Sequence, residues 1–346
     1  MIKKNASISN HIAPLIILAG TALVVFYQAV DLSRTHKRNL AIFSSFSNGF
    51  ESYVTNFVEV WRPRLFSNVL AAEVIRFSEF LLNKISIPLV KDPIQLAVGL
   101  WTAGWFILIG LLFILWLKNR SPLYILGTFA GISFGYFPIG STNNLMFPWD
   151  MPALFMFSFF VILFMENKYR WLLVLLPLGV GFKETVIILC LAFLFRDLQG
   201  SSWNPLQRSF WAQFKKESWL LFFTSVVLCL IVKASIDIYV QVSSPLLTVE
   251  FTSDYTQNIL LYENALRLKN LFPFFVNAGT LLAFFVLPSS DPKVRTLKLL
   301  AAVFALGIFS FGVITEYRLW FEMIPFSLYV IVRAVIEGST TSSQNV

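Results

Sequence analysis

The chain has 346 residues, of which 57% are hydrophobic, and its mean hydropathy is +0.70. Soluble domains contain roughly half apolar residues or fewer, so this composition excludes an ordinary soluble protein and predicts one that spans the membrane several times. The net charge of +8 would suggest nucleic acid for a soluble protein, but the sequence has no basic run with interleaved aromatic residues, so we expect no nucleic-acid partner.

The sequence contains only two cysteines, Cys190 and Cys229, and both lie inside apolar runs. It also contains only two histidines, His11 and His36. These numbers support neither a disulfide framework nor a metal site built from thiolates or imidazoles. We therefore expect no metal site of that kind.

Segments without Asp, Glu, Lys or Arg mark the candidate membrane spans, each of which needs roughly 20 residues. They are 12–30, 94–117, 122–139, 150–165, 171–182, 185–195, 218–236, 271–288, 297–314 and 319–335. This pattern predicts an all-α fold, a polytopic helical bundle with about ten transmembrane segments. Residues 1–336 are expected to form one transmembrane domain, in which segment 12–30 is a retained anchor, and the Ser- and Thr-rich residues 337–346 a disordered cytoplasmic tail.

The short segments 171–182 and 185–195 could be one broken helix or two legs that rise and return. Short loops rich in Lys and Arg stay in the cytoplasm. Every such loop falls on that side if the N-terminus is cytoplasmic and the two segments are separate passes, joined at an outer turn of Lys183 and Glu184. The rule therefore predicts two passes and cytoplasmic termini.

Residues 31–92 form a long polar segment between two apolar runs, which this topology places on the outer face. Within it, large apolar side chains recur at helical spacing and predict an amphipathic helix. They are Phe66, Val69, Leu70, Val74, Phe77, Phe80, Leu81 and Ile85. Such a helix can lie in the membrane interface; the alternative is a short soluble helix packed on the loop itself.

The same loop holds three separate acids, Asp31, Glu51 and Glu59, and two arginines, Arg62 and Arg64, on either side of a proline. A carboxylate can take a proton from an attacking hydroxyl, and guanidinium groups can neutralise a departing phosphate. The residues therefore suit a transfer reaction with a phosphate leaving group. The alternative is anchoring of the arginines at head-group level.

Three charged residues open or separate later spans. Asp150 begins a span, where the helix dipole stabilises a carboxylate. It is either a helix cap or a substrate-binding residue. Lys183 and Glu184 lie between two apolar runs, where a charge must be paired or face a cavity. They indicate either the rim of an outward-facing substrate site or a helix-breaking turn at the water interface.

A further charged cluster, Glu316, Arg318 and Glu322, lies at the outer end of the last segment. Glu322 follows Arg318 at i,i+4 spacing, so the two can form an ion pair that ends the helix. A guanidinium held by flanking carboxylates can equally bind an anionic lipid head group. We include all three as candidate substrate-binding residues.

Four short motifs resemble the GT-C superfamily of membrane glycosyltransferases, and within it divergent bacterial mannosyltransferase-like proteins. They are WRPRLFSNVLA in the first loop, FPWDMPALF at the start of a later span, GFKET between the short spans and EYRLWFEMIP near the end. The resemblance implies a multi-pass protein of the bacterial cytoplasmic membrane. Its activity would be sugar transfer from a polyprenyl-phosphate donor in the membrane lipid to a glycan or lipid-linked acceptor on the non-cytoplasmic face.

In such families a first-loop carboxylate is the base, which implies Asp31, Glu51 or Glu59 here. The tandem Asp-Glu of the protein mannosyltransferases is missing, so the choice among the three stays open. No cofactor is indicated, although isolated carboxylates can also bind a divalent cation. The alternative function is a transporter, or a non-catalytic subunit, of an envelope polysaccharide system.

Overall fold

The computed structural model describes residues 2–35, 64–85, 90, 92–116, 148–200, 212–239, 291–311 and 322–326. The regular structure in these ranges is entirely helical, which confirms the all-α fold class. The α-helices are α1 (Ile2–Thr35), α2 (Leu65–Lys84), α3 (Pro93–Trp116), α4 (Asp150–Met165), α5 (Tyr169–Phe182), α6 (Ala192–Phe195), α7 (Lys216–Tyr239) and α8 (Pro292–Phe311). Two 3-10 helices, Glu184–Leu191 and Arg196–Gly200, flank α6.

Among the residues that the structure describes, three helical stretches are long and apolar enough to cross a membrane: Ile12–Asp31 within α1, all of α3, and all of α7. The helices α4 and α5 are also apolar but shorter. The chain therefore has the character of a membrane protein. The predicted spans 122–139 and 271–288 lie outside the described residues, so the total of about ten spans stays a prediction.

The chain divides into two compact units, Met1–Phe155 and Met156–Val346. In the first unit, α1 and α2 both pack on α3. Small residues allow this close packing, because they let the backbones of neighbouring helices approach each other, as they do between membrane helices. At Gly99 of α3 an added Cβ would lie only 2.7 Å from the Phe26 ring and 2.8 Å from Val30.

The amphipathic helix predicted in the first loop is present as α2, but it packs through a different face from the apolar stripe that predicted it. Its buried residues are Ser67, Asn68, Ala71, Ala72, Ile75 and Ser78. Large apolar side chains of the stripe, such as Phe77 and Phe80, are more than half exposed. The small residues of α2 and Ile75 contact the protein, whereas much of the apolar stripe stays exposed in the described structure.

In the second unit, α5 and the segment after it form a hairpin. Helix α5 ends at Phe182, and the backbone of Lys183 is extended. The chain then returns through the first 3-10 helix and α6. The Arg196 guanidinium lies 4.8 Å from the centre of the Tyr169 ring at the start of α5. The two legs therefore run out and back, as the distribution of basic loops predicts.

The hairpin is short, because 14 residues of α-helix extend only about 21 Å, whereas a bilayer core is about 30 Å thick. Its legs are also close together. An added Cβ at Gly179 of α5 would lie 2.7 Å from Val186 of the first 3-10 helix. If its basic end lies at one membrane surface, the turn at Lys183 ends below the opposite surface.

Basic connections gather at the open end of this hairpin. Arg196 donates from Nε to Ser218 Oγ over 3.0 Å at the start of α7. Lys293, at the start of α8, donates to the Met165 carbonyl over 2.5 Å at the end of α4. Loops that the positive-inside rule assigns to one side of the membrane thus share one end of the second unit.

Candidate functional site

The first polar cluster joins the first loop to the start of α4. The Arg64 guanidinium lies over the Trp149 ring, 4.3 Å from its centre. Trp149 is fully buried, whereas Arg64 is half-buried. Asp150, the residue after this tryptophan, is 2% exposed. Three residues from two separate motifs therefore lie together in the first unit.

Backbone and side-chain contacts fix Trp149 in place. The Trp101 Nε1–H on α3 donates to the Pro148 carbonyl over 2.9 Å, and the Ala153 N–H donates to the Trp149 carbonyl over 3.0 Å as α4 begins. Asp150 occupies the first turn of α4, where the helix dipole stabilises a carboxylate. This part of the cluster is therefore held by a buried helix start.

The stacked arrangement suits anion binding. An aromatic ring contacts the flat face of a guanidinium, while the N–H groups point outward along the edge in a fork that matches phosphate. Arg64 precedes α2 directly, and its carbonyl accepts the Asn68 N–H over 3.1 Å. Its backbone is thus tied to a helix, and its side chain is positioned by Trp149.

The second polar cluster lies at the turn of the hairpin. Lys183 Nζ forms an ion pair with Glu322 Oε1, and Thr185 Oγ1 donates to Glu322 Oε2 over 2.7 Å. Lys183 is 3% exposed and Glu322 is 1% exposed. Both oxygens of a buried carboxylate are therefore engaged by residues more than a hundred positions away in the chain.

The local backbone explains this placement. Lys183 is the extended residue between α5 and the first 3-10 helix, and Thr185 lies in the first turn of that helix. Glu322 lies two residues before a single helical turn at 324–326. The predicted partner of Glu322, Arg318, lies outside the described residues, so that ion pair stays a prediction. Within the described residues, Lys183 and Thr185 engage the carboxylate.

Of the remaining predicted site residues, Asp31 and Glu184 lie in the described ranges and the others do not. Asp31 is exposed and lies within α1, which continues to Thr35, so it does not follow the first helix as the predicted span 12–30 implied. Glu184 is half-buried at the start of the first 3-10 helix. The others lie outside the described residues: Glu51, Glu59, Arg62, Glu316 and Arg318. Within the described ranges, no three His, Cys, Asp or Glu residues group as metal ligands.

Two contributors to the clusters were not among the predicted site residues. Trp149 supports the Arg64 guanidinium, and Thr185 donates to Glu322. Each is adjacent, or nearly so, to a residue that the sequence did indicate, Asp150 or Lys183. Their place in the same short motifs was the available signal, but only the folded chain shows which partner each contacts.

Comparison with protein-family models, curated proteins and solved structures gives no match. The resemblance to the GT-C superfamily therefore stays a prediction from the sequence. Those motifs meet in pairs: the first-loop motif contacts FPWDMPALF through Arg64 and Trp149, and GFKET contacts EYRLWFEMIP through Lys183 and Glu322.

Proposed function

We propose that this protein is an integral membrane glycosyltransferase that moves a sugar from a polyprenyl-phosphate donor to a glycan or lipid-linked acceptor on the non-cytoplasmic face. The observation that carries this proposal is the stacking of Arg64 on buried Trp149 beside Asp150. It joins an arginine of the first loop to a second motif, which is the convergence that a transferase site needs.

The proposed reaction is an inverting transfer. The acceptor hydroxyl oxygen bonds to the anomeric carbon as the bond from that carbon to the phosphate oxygen breaks. The hydroxyl proton passes to a carboxylate, and polyprenyl phosphate leaves with the electron pair. Preorganised cations lower the barrier by stabilising the charge that develops on the leaving group.

Arg64 is the stronger candidate for the phosphate contact among the described cations. It is half-buried and presents a planar fork, which binds phosphate through two N–H groups. Lys183 is 3% exposed and lies against the Glu322 carboxylate, so its ammonium group is less accessible to a ligand than the half-buried Arg64 guanidinium. We assign the buried pair to holding the hairpin turn, with Arg62 and Arg318 as further phosphate-side candidates.

The base is proposed to be one of the first-loop acids Asp31, Glu51 and Glu59. Asp31 is exposed, which leaves its carboxylate accessible. Isolated carboxylates also bind divalent cations, so a cation can be tested by adding a chelator. Both termini are proposed to lie in the cytoplasm of a bacterial cell, in a multi-pass inner-membrane topology.

The test is sugar transfer in liposomes with undecaprenyl-phosphate-linked mannose as the probe donor. Asp31→Asn, Glu51→Gln and Glu59→Gln are compared singly with the native chain, and release of undecaprenyl phosphate is measured. We expect one amide variant to lose about 100-fold or more of the rate, the scale of a general base. Arg64→Lys is expected to lose about tenfold or more, because lysine lacks the planar fork.

Full activity in all three amide variants would overturn the first-loop base. No transfer by the native chain from the mannose donor would favour the transporter or non-catalytic alternative. A transporter needs polar groups within the spans, and the pair available in α7, Lys233 and Asp237, is joined internally at 2.6 Å. That local pairing is why we place the transporter second.

A further inference from the structure

We propose that Cys190 and Cys229 form a dithiol site that a membrane-dissolved quinone oxidises to an intrachain disulfide. The sulfurs lie 3.9 Å apart, one on the first 3-10 helix and one on α7. Both residues are fully buried free cysteines. They are also the only two cysteines of the sequence.

The geometry requires little movement. A disulfide bond is about 2.0 Å long, so the two sulfurs must approach by roughly 2 Å, within the reach of side-chain rotation and small helix shifts. The helix α7 packs against both α5 and the first 3-10 helix, which holds the thiols opposite each other. A pair separated in sequence is thereby kept at reacting distance.

The redox step balances with a quinone. Two S–H bonds break and one S–S bond forms, which releases two protons and two electrons. The quinone accepts both and becomes the quinol. No water and no other reactant is consumed.

The depth of the two thiols in the membrane favours an oxidant that dissolves in lipid. Cys229 lies 13 residues after Lys216, hence about 20 Å along α7, a helix of 24 residues long enough to span the membrane. When α7 spans a membrane, the thiols therefore lie well inside the apolar layer. A water-soluble thiol–disulfide exchange protein would have to enter that layer, whereas a quinone dissolves in it.

The bond would connect α7 to the segment that carries Thr185. Thr185 lies five residues before Cys190 on the same 3-10 helix, and it donates to Glu322. Oxidation would thus restrain the segment that forms the buried cluster. This inference does not depend on the proposed transferase activity.

The experiment uses the native chain in membranes treated with decylubiquinone, whose ring carbons are all substituted and cannot alkylate thiols. The membranes are dissolved in SDS, and thiols are counted by the gel shift from maleimide-polyethylene glycol. We expect two adducts before treatment, none after it, and two again after reduction with dithiothreitol. A chain with no adducts before treatment and two after reduction supports the disulfide equally.

Cys190→Ser and Cys229→Ser are the matched controls, each expected to keep one adduct with or without quinone. Two adducts in the native chain after quinone, but none after copper–phenanthroline, would overturn the quinone as oxidant. Two adducts after both reagents would overturn the site itself. Loss of the adduct in a single-cysteine variant would show a reaction other than the intrachain bond, and would also overturn the proposal.

Discussion

The two polar clusters contain similar groups but use them differently. In the first unit, Arg64 is half-buried and stacks on a buried tryptophan. In the second unit, Lys183 is almost completely buried and is paired with Glu322, which also accepts from Thr185. The first arrangement places a half-buried guanidinium against an aromatic ring, whereas the second encloses a cation and an anion almost completely.

This difference predicts separate consequences of mutation. A half-buried arginine stacked on an aromatic ring contributes about 1–2 kcal/mol to stability, and its guanidinium edge can bind an anion. A buried ion pair contributes less than its attraction suggests, yet removing one partner leaves an uncompensated charge in the interior. We therefore expect the second cluster to control stability and the first to control substrate binding.

The largest effect is expected for Lys183→Met, which leaves the Glu322 carboxylate buried without its cation. Removing one partner of a buried ion pair lowers the free energy of unfolding by about 3–5 kcal/mol. The prediction is a large fall in the thermal unfolding midpoint of the purified protein in detergent. It is measured by intrinsic tryptophan fluorescence.

The matched control is the double variant Lys183→Met with Glu322→Gln, which removes both charges and keeps an acceptor for Thr185. It is expected to recover at least half of the loss. Equal midpoints for the single and the double variant would show that the buried charge is not the cause. In that case the ion pair would not be the element that distinguishes the second cluster.

A smaller loss is expected for Thr185→Val, which keeps the side-chain shape but removes the hydroxyl that donates to Glu322 over 2.7 Å. Hydrogen bonds to charged groups contribute about 1.5–3 kcal/mol. The unfolding midpoint should fall less than in Lys183→Met. Thr185→Ser retains the donor and is the control; a midpoint as low as that of the valine variant would contradict the role of the hydroxyl.

Packing within the hairpin gives a further test. Inserting a methyl group into a tightly packed position lowers the free energy of unfolding by about 1–3 kcal/mol. Gly179→Ala would place a Cβ 2.7 Å from Val186, whereas Gly307→Ala on α8 would meet nothing within 4 Å. The first variant should lower the unfolding midpoint and the second should leave it unchanged or raise it. Adding Val186→Ala should relieve the first, and its failure to do so would show that the clash is not the cause.

The sequence predicted some of these features well because they depend on local pattern or on charge. The helix α2 followed from its apolar spacing, and the hairpin at Lys183 followed from the requirement that basic loops share one side. The packed face of α2 could not be predicted in the same way. Ser67 and Ala71 are buried because small residues allow close approach to α3, a property of the pair of helices rather than of one.

The partners of the charged residues were also beyond the sequence. Spacing indicates Arg318 as a neighbour of Glu322, but it does not reveal Lys183 and Thr185, which donate to the carboxylate across a long stretch of chain. Likewise, two cysteines in separate apolar runs gave no sign of pairing, and the packing of α7 on the hairpin brings them to 3.9 Å. Contacts between distant segments depend on tertiary packing, which periodicity and charge do not specify.

The smallest effect on stability, and the clearest contrast between the clusters, is expected for Arg64→Lys. Lysine can keep the positive charge near Trp149 and loses only part of a cation–π contact worth about 1–2 kcal/mol, so the unfolding midpoint should change little. Transfer should nevertheless fall, since an ammonium group cannot replace the planar fork. Arg196→Lys is the control, because Arg196 also lies over an aromatic ring, that of Tyr169, but at the basic end of the second unit, and its activity should be retained. If Arg64→Lys instead unfolds the protein as readily as Lys183→Met does, the arginine is a structural group, and the two clusters have the same role.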